Sequence, residues 1–207
     1  MIFRRRVDGT LRTGTTAAPI CAIPLLLAAT ACGPSDRPPG DPDSAAPQTG
    51  VVTTRLYGRG AECQPVEPPP APATSATRCP GPGGYALLLA DHDGRATLTV
   101  VDADGREHPL DAAGAADHAG ESRFRDTAEW HTRPRGRATV PTALIVTHVA
   151  VRPDGPRNSA GERLDVLVAK IAGETCITDR IPASPEAGAE ARRLAATAAA
   201  RPCLRAE

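Results

Sequence analysis

The sequence predicts an α+β fold, in which a mainly antiparallel β-sheet, sandwich- or barrel-like, carries one C-terminal helix and is cross-linked by disulfide bonds. Short runs of β-branched and aliphatic residues, separated by Asp-Gly and Pro-rich turns, indicate antiparallel strands. A segment with helical spacing and an early proline follows the last of these runs. Six cysteines in a chain with only 2% aromatic residues indicate that cross-links support a modest core.

The strand predictions rest on side-chain alternation and on turn residues. In segment 95–101 aliphatic residues alternate with threonines, as expected of a half-buried antiparallel strand. It follows the Asp-His-Asp-Gly turn at 91–94, where Gly94 supplies the positive φ of a tight hairpin. Residues 58–84 are predicted to form a loop, and residues 111–127 receive no assignment. The other predicted strands are 51–57, 85–90, 106–110, 128–132, 142–151, 164–171 and 175–179.

The C-terminal helix is predicted by its caps and its apolar face. Ser184 is the expected N-cap, Pro185 suits the first helical position, and Pro202 ends the helix. Glu190 and Arg193 are expected to pair on the exposed face. The face directed at the sheet comprises Ala187, Ala191, Leu194, Ala195 and Ala198.

The N-terminus has the organisation of an export signal. Three arginines, Arg4 to Arg6, precede an apolar run at 17–29 that is too short to span a bilayer. The Ala-Thr-Ala-Cys tetrapeptide that ends at Cys32 resembles a bacterial lipobox, although Ala29 stands where that motif usually has leucine. The resemblance implies cleavage before Cys32 and lipidation of its thiol. The same residues suit an ordinary signal peptidase, so secretion without lipid is the alternative.

The cysteine count favours the lipid. Cys21 leaves with the signal, and five cysteines remain, which is an odd number for an exported protein. If Cys32 carries the lipid, the other four can pair with one another, and they allow three pairings. We favour one bridge that closes the long predicted loop and one that staples the helix to the sheet. The favoured pairing is Cys63–Cys79 with Cys176–Cys203.

These features divide the chain into three parts. Residues 1–31 are the predicted signal peptide, residues 32–50 the lipidated cysteine with a disordered tether, and residues 51–207 the exported α+β domain. The predicted protein is a membrane-anchored lipoprotein that faces the periplasm or the cell exterior. Its expected partners are the membrane, through the lipid on Cys32, and an envelope protein.

The charge balance argues against nucleic acid as a partner. Cleavage before Cys32 removes four of 24 basic residues and one of 24 acidic residues, leaving 20 and 23 and a net charge of −3. Phosphate binding needs a concentrated basic face, and the mature chain as a whole gives no polybasic surface for anionic lipid. The turn at 133–137 is basic. It is a candidate site for a phosphate or a carboxylate partner, with a solvated turn as the alternative.

No catalytic residue, metal site or cofactor is predicted, and the protein is not expected to be an enzyme. The histidines lack metal-ligating spacing, and no serine lies in a nucleophile elbow. The turns at 91–94 and 102–105 begin like a calcium loop but lack its later ligands. Two carboxylate pairs would need the fold to bring them together, Asp117 with Glu129 and Asp165 with Asp179. The histidines are His92, His108, His118, His131 and His148, of which the last is expected to be structural.

Six segments of the chain resemble a set of uncharacterised exported proteins of Gram-negative bacteria. The resemblance covers most of residues 51–203. It implies a domain boundary and no catalytic role. The segments are 79–85, 128–130, 142–146, 167–171, 176–179 and 201–203.

The function predicted first is a membrane-tethered, non-enzymatic envelope module that binds a protein or an envelope ligand. The alternatives are an inhibitor or immunity-type lipoprotein, and a periplasmic hydrolase with dispersed catalytic residues. A deep pocket that holds His131 or His148 beside a carboxylate would favour the hydrolase. A convex exposed apolar patch would favour a binder or an inhibitor.

Overall fold

A computed structural model describes most of the domain predicted at residues 51–207. The chain divides into two compact units, residues 1–42 and 43–207, and every described residue belongs to the second. The predicted signal peptide and Cys32 lie outside the described residues. None of the described helices has the length and apolarity needed to cross a membrane. The described ranges are 49–115, 120–151 and 161–204.

Ten strands occur in the described ranges, and nearly all of their pairings are antiparallel, which confirms the predicted fold class. The strands are β1 Gly50–Arg55, β2 Gln64–Pro65, β3 Ser75–Pro80, β4 Ala86–His92, β5 Arg95–Val101, β6 Glu107–Leu110, β7 Ser122–Arg135, β8 Ala138–Val151, β9 Glu162–Lys170 and β10 Cys176–Pro182. The helices are α1 Ala112–Ala115 and α2 Ala187–Ala195, with 3-10 turns at Pro82–Gly84 and Ala198–Ala200.

The sheet has two halves joined at one point. In the first half the order is β10-β9-β8-β7, with β1 on the other edge of β7. In the second half the order is β2-β3-β4-β5, with β6 on the other edge of β5. A single parallel pair, Arg95 with Ser122, joins β5 to β7. Asp93 and Gly94 both have positive φ, so the β4–β5 hairpin has the predicted Asp-Gly turn chemistry.

One buried core lies between the two halves, as in a sandwich. It combines Leu87 and Leu98 of the second half with Leu144 and Leu167 of the first. Trp130 of β7 is completely buried in this cluster. Because side chains from both halves share one cluster, each half covers the inner face of the other.

The outer faces of the two halves are covered by different segments. On β8, β9 and β10, the small apolar face of α2 packs against Ala143, Ile145 and Val168. On β3, β4 and β5, the outer face carries a smaller cluster, against which Val66 and Ala73 pack. The buried residues of α2 and of the turn after it, Ala187, Ala191, Ala195 and Ala198, belong to the predicted face.

Several sequence predictions need correction. The predicted loop 58–84 contains β2 and β3. The prolines around these strands indicated a loop, but Ala76 and Cys79 of β3 are buried. The unassigned stretch 111–127 contains α1 and the first residues of β7, and β7 extends well before the predicted strand 128–132. The strand propensity of these first residues of β7 is weak, and their pairing with β8 decides their conformation.

The start and the ion pair of the helix also differ from the prediction. α2 begins at Ala187, so Ser184 is not its N-cap, although Ser184 Oγ accepts a hydrogen bond from the Glu186 N–H at 3.3 Å. Among the ion pairs of the described residues, Glu190 is not joined to Arg193. Arg192 is the arginine of α2 that pairs, and its partner lies on β7.

Candidate functional site

An open cleft lies between the two halves of the sheet, beside the single β5–β7 junction. Its volume is about 470 Å³. We call it the tyrosine cleft. Its lining combines an apolar floor with charged side chains at the edge. The lining residues are Tyr57, Ser75, Thr77, Leu89, Ala90, Asp91, Ala96, Ser122, Arg123, Phe124, Arg125 and Asp126.

Tyr57 is held at the cleft by the residue before it. Leu56 is buried in the core, and its N–H donates a 2.7 Å hydrogen bond to the Asp126 carbonyl oxygen. The Tyr57 side chain remains 40% exposed. Burial raises the pKa of the Tyr57 phenol, and the carboxylates of Asp91 and Asp126 raise it further. The phenol therefore stays protonated at neutral pH and is able to donate a hydrogen bond to a ligand.

The Asp-Gly turn fixes the first carboxylate of the cleft. Asp91 Oδ1 accepts hydrogen bonds from the Gly94 N–H at 3.0 Å and from Thr74 Oγ1 at 3.1 Å. The turn at 91–94 thus serves as a hairpin and also orients an acidic side chain of the cleft. Its aspartate satisfies the backbone of the turn, as aspartates in such turns commonly do.

A β-bulge brings the second carboxylate to the cleft. The β7–β8 register shifts between Phe124 and Ala128, so residues 125–127 have no regular partners in β8. Bulges re-aim side chains, and here Arg125 and Asp126 line the cleft. Arg123 also lines it, but its guanidinium is held by Glu162 at 2.6 Å.

His131 and His148, which would favour a hydrolase if they lined a deep pocket, both lie beside carboxylates. His148 is fully buried, lies opposite Asp165 in the β8–β9 register and packs its ring 5.4 Å from that of Phe124. His131 Nε2 lies 2.9 Å from Glu129 Oε1. Neither histidine lines the tyrosine cleft or the two other main clefts of the described residues, so the arrangement that would favour a hydrolase is met only in part.

Glu129 ties the helix to the sheet. The Arg192 guanidinium of α2 binds both of its carboxylate oxygens, at 2.8 to 3.1 Å. Hydrogen bonds from Arg192 and then from His131 hold the pKa of Glu129 below its ordinary value, against the opposing effect of burial. The bidentate geometry is that of a structural ion pair between two elements.

The predicted pair of Asp165 with Asp179 is not formed, since different arginines hold the two acids. Asp165 is buried between Arg163, at 3.0 Å, and Arg180, at 3.6 Å. Asp179 instead binds the Arg201 guanidinium, with one contact at 2.7 Å. Asp165 therefore lies beside two arginines and Asp179 beside one, and such pairing commonly stabilises a buried charge. Asp117 and His118 lie outside the described residues, so the pair with Glu129 is not described.

Two further sets of acidic groups have structural roles. In the turn at 102–105, Asp102 Oδ1 accepts hydrogen bonds from the Asp104 and Arg106 backbone N–H groups. Its other oxygen lies 3.1 Å from His108 Nε2, and this contact lowers the pKa of Asp102. Within the described residues, the one group of potential metal ligands that lie close together is Glu174 with two cysteines. The two sulfurs are joined in a disulfide and are therefore not thiolates.

The disulfide prediction is confirmed. Both bridges follow the favoured pairing. The first joins β3 to the chain before β2, and the second joins the start of β10 to the segment after α2. The bridges are Cys63–Cys79 and Cys176–Cys203.

The acidic groups of the tyrosine cleft were not identified from the sequence. Tyr57, Asp91 and Asp126 are far apart along the chain, and only the sheet topology brings them together. The turn signal at 91–94 marks Asp91, but no local pattern marks Asp126 in its bulge. Comparisons with family models, with curated proteins and with solved structures give no match to this chain.

Proposed function

We propose that this protein is an exported, lipid-anchored envelope protein whose β domain is a non-enzymatic binding module. The anchor is the lipid on Cys32, and the domain faces the periplasm or the cell exterior. The two disulfides support this proposal, because they use four of the five cysteines of the mature chain and leave Cys32 for the lipid. The sequence before Cys32 supplies the export signal.

The tyrosine cleft carries the binding part of the proposal. Leu89 and Phe124 give it an apolar floor, and Tyr57 presents an aromatic ring with a protonated hydroxyl. Asp91 and Asp126 lie close enough to the phenol to raise its pKa. An aromatic ring beside two carboxylates is a suitable environment for a cation, and apolar clefts with a few polar groups are the usual form of ligand sites. The proposed ligand therefore has an apolar body and a basic group.

The distribution of charges within the cleft favours this ligand. Arg123 is engaged by Glu162 outside the lining, so Arg125 is the basic group left to balance the two carboxylates. Asp91 uses Oδ1 for the turn. Within the described ranges, no side-chain hydrogen bond engages the Asp126 carboxylate. It is the carboxylate best placed to receive the basic group of a ligand.

Replacing Asp126 by Asn is expected to weaken binding of a basic ligand about ten-fold, because a charged hydrogen bond worth roughly 1.5 kcal/mol is lost. The probe is a capped tripeptide with arginine between two leucines, and the same tripeptide with glutamate is the negative probe. Binding is measured by isothermal titration calorimetry.

Asp104→Asn is the matched control, because Asp104 is an exposed aspartate outside the cleft. It should leave the affinity unchanged. Equal binding of the acidic and basic tripeptides, or the same loss in both variants, would contradict a basic-ligand site in the tyrosine cleft.

A further inference from the structure

The β7–β8 hairpin projects beyond the rest of its half of the sheet. Pairing between β1 and β7 ends at Gly50 with Thr132, and pairing between β8 and β9 begins at Ala143 with Lys170. Beyond these points, within the described residues, the two strands pair only with each other, as far as Arg135 with Ala138.

The projecting hairpin is supported on one side, close to its tip, since the supported residue Thr139 pairs with Pro134. The 3-10 turn Pro82–Gly84 packs against it so closely that a Cβ on Gly83 would lie 2.1 Å from the Thr139 carbonyl oxygen. Gly83 also has a φ of +64°, which favours glycine. The hairpin is therefore held in one direction relative to the sheet.

Three arginines occupy the tip, at Arg133, Arg135 and Arg137, and all three are exposed. Within the described part of the chain, no ion pair joins any of them to an acidic side chain. We call residues 133–137 the arginine tip. It concentrates positive charge at one place in a mature chain whose net charge of −3 predicted no polybasic surface for anionic lipid, so it is a local exception to the overall balance. A partner with several anionic oxygens would supply the negative charge that no acidic side chain of the described residues supplies to these arginines.

The chain enters the domain at the base of this same hairpin. Gly50, the first residue of β1, lies opposite Thr132, and Thr132 Oγ1 donates a 3.1 Å hydrogen bond to its carbonyl oxygen. The tether that begins at Cys32 therefore joins the domain only a few residues from the arginine tip. A membrane that holds Cys32 lies within reach of the tip.

We propose that the arginine tip docks onto the anionic phospholipid headgroups of the membrane that holds the tether. This inference rests on the lipid anchor of the proposed function. Arginine guanidinium groups bind phosphate oxygens in a bidentate manner, and each basic residue near an anionic membrane surface strengthens binding about five-fold. The tether keeps the tip near the surface, so a weak three-charge contact is sufficient to orient the domain.

Docking in this manner would place the tyrosine cleft at a distance from the membrane. Asp126 and Arg135 are nine residues apart on β7, which corresponds to at most about 30 Å, because two irregularities in the register shorten the strand. The tip and the cleft thus occupy opposite ends of the same long strand. With the tip on the headgroups, the cleft lies at the end of β7 remote from the membrane, where a soluble ligand has access.

The test measures partition of the mature chain, residues 32–207, onto vesicles by co-sedimentation at low salt. Truncation at residue 32 leaves all described residues of the second compact unit intact. Cys32→Ser removes the anchor, so the result does not depend on lipidation in cells. Vesicles containing phosphatidylglycerol are compared with pure phosphatidylcholine. Substitution of all three arginines of the tip by glutamine is expected to lower partition onto anionic vesicles about 100-fold.

The control replaces three other exposed arginines by glutamine and therefore has the same net charge. It should keep wild-type partition within about two-fold, since the tip is unchanged. Unchanged partition in the tip variant, or equal loss in the control, would overturn the proposal. Equal affinity of the tip for soluble polyphosphate and for vesicles would also overturn it, by showing a general polyanion site. The control positions are Arg59, Arg78 and Arg193.

Discussion

Replacing Trp130 by alanine is expected to lower the free energy of unfolding by about 3–5 kcal/mol, which is the usual cost of removing a large buried aromatic side chain. Trp130 is completely buried, and its Nε1 donates a 3.0 Å hydrogen bond to Thr54 Oγ1. That hydroxyl in turn donates to the Pro80 carbonyl oxygen at 3.0 Å. The indole therefore links β1, β7 and the end of β3. Urea denaturation followed by circular dichroism measures the loss.

The indole is also enclosed by its neighbours, which limits how far they can move to fill the cavity that an alanine at position 130 would leave. A Cβ on Gly81 would lie 2.8 Å from Trp130 Cζ2, and the Tyr85 ring packs edge-on at 6.5 Å. Trp130→Phe keeps an aromatic ring but loses the N–H, and should cost less, on the order of 1–2 kcal/mol. A cost below about 1 kcal/mol for the alanine variant would contradict the central place of Trp130 in the core.

Removing the Cys176–Cys203 bridge is expected to cost about 3.5 kcal/mol, on the loop-entropy model for its sequence separation of 27. The bridge holds the chain after α2 against the start of β10. Contacts beside it would remain in the double alanine variant, including the 2.8 Å hydrogen bond from Leu204 N–H to the Ile177 carbonyl. The expected result is therefore a less stable protein that still folds. Urea denaturation of the variant gives the value.

The other bridge is the matched comparison. Its sequence separation is 16, so replacing Cys63 and Cys79 by alanine should cost about 3 kcal/mol on the same model. Adding a reductant to the wild-type protein should lower its stability but leave a variant without either bridge unchanged. A loss below about 1 kcal/mol on removal of Cys176–Cys203 would contradict its role in holding the C-terminal segment.

Local patterns predicted much of the sheet. Alternation of aliphatic residues and threonines located β5, and the Asp-Gly turn before it located the β4–β5 hairpin. The apolar face of α2 was also read correctly, because helical spacing is a local property. The disulfides followed from counting cysteines and from asking which bridges would close loops.

Contacts between distant segments explain what the sequence did not reveal. β3 lies in a stretch rich in proline and is a strand because it pairs with β4 along its whole length, from Ser75 to Pro80. The bulge of β7 shows only in its register with β8, so the position of Asp126 was not predictable. The tyrosine cleft depends on both features. The arginine tip was noted as a basic turn, but its projection depends on where β1 and β9 end.

The most direct test of the central claim is metabolic labelling with a fatty acid in bacterial cells that express the full chain. A protein held to the membrane by Cys32 should incorporate the label, and Cys32→Ala should abolish it. Mass spectrometry of the labelled protein should find the lipid on an N-terminal peptide that begins at Cys32. No label on the wild-type protein, or label retained in Cys32→Ala, would contradict the account.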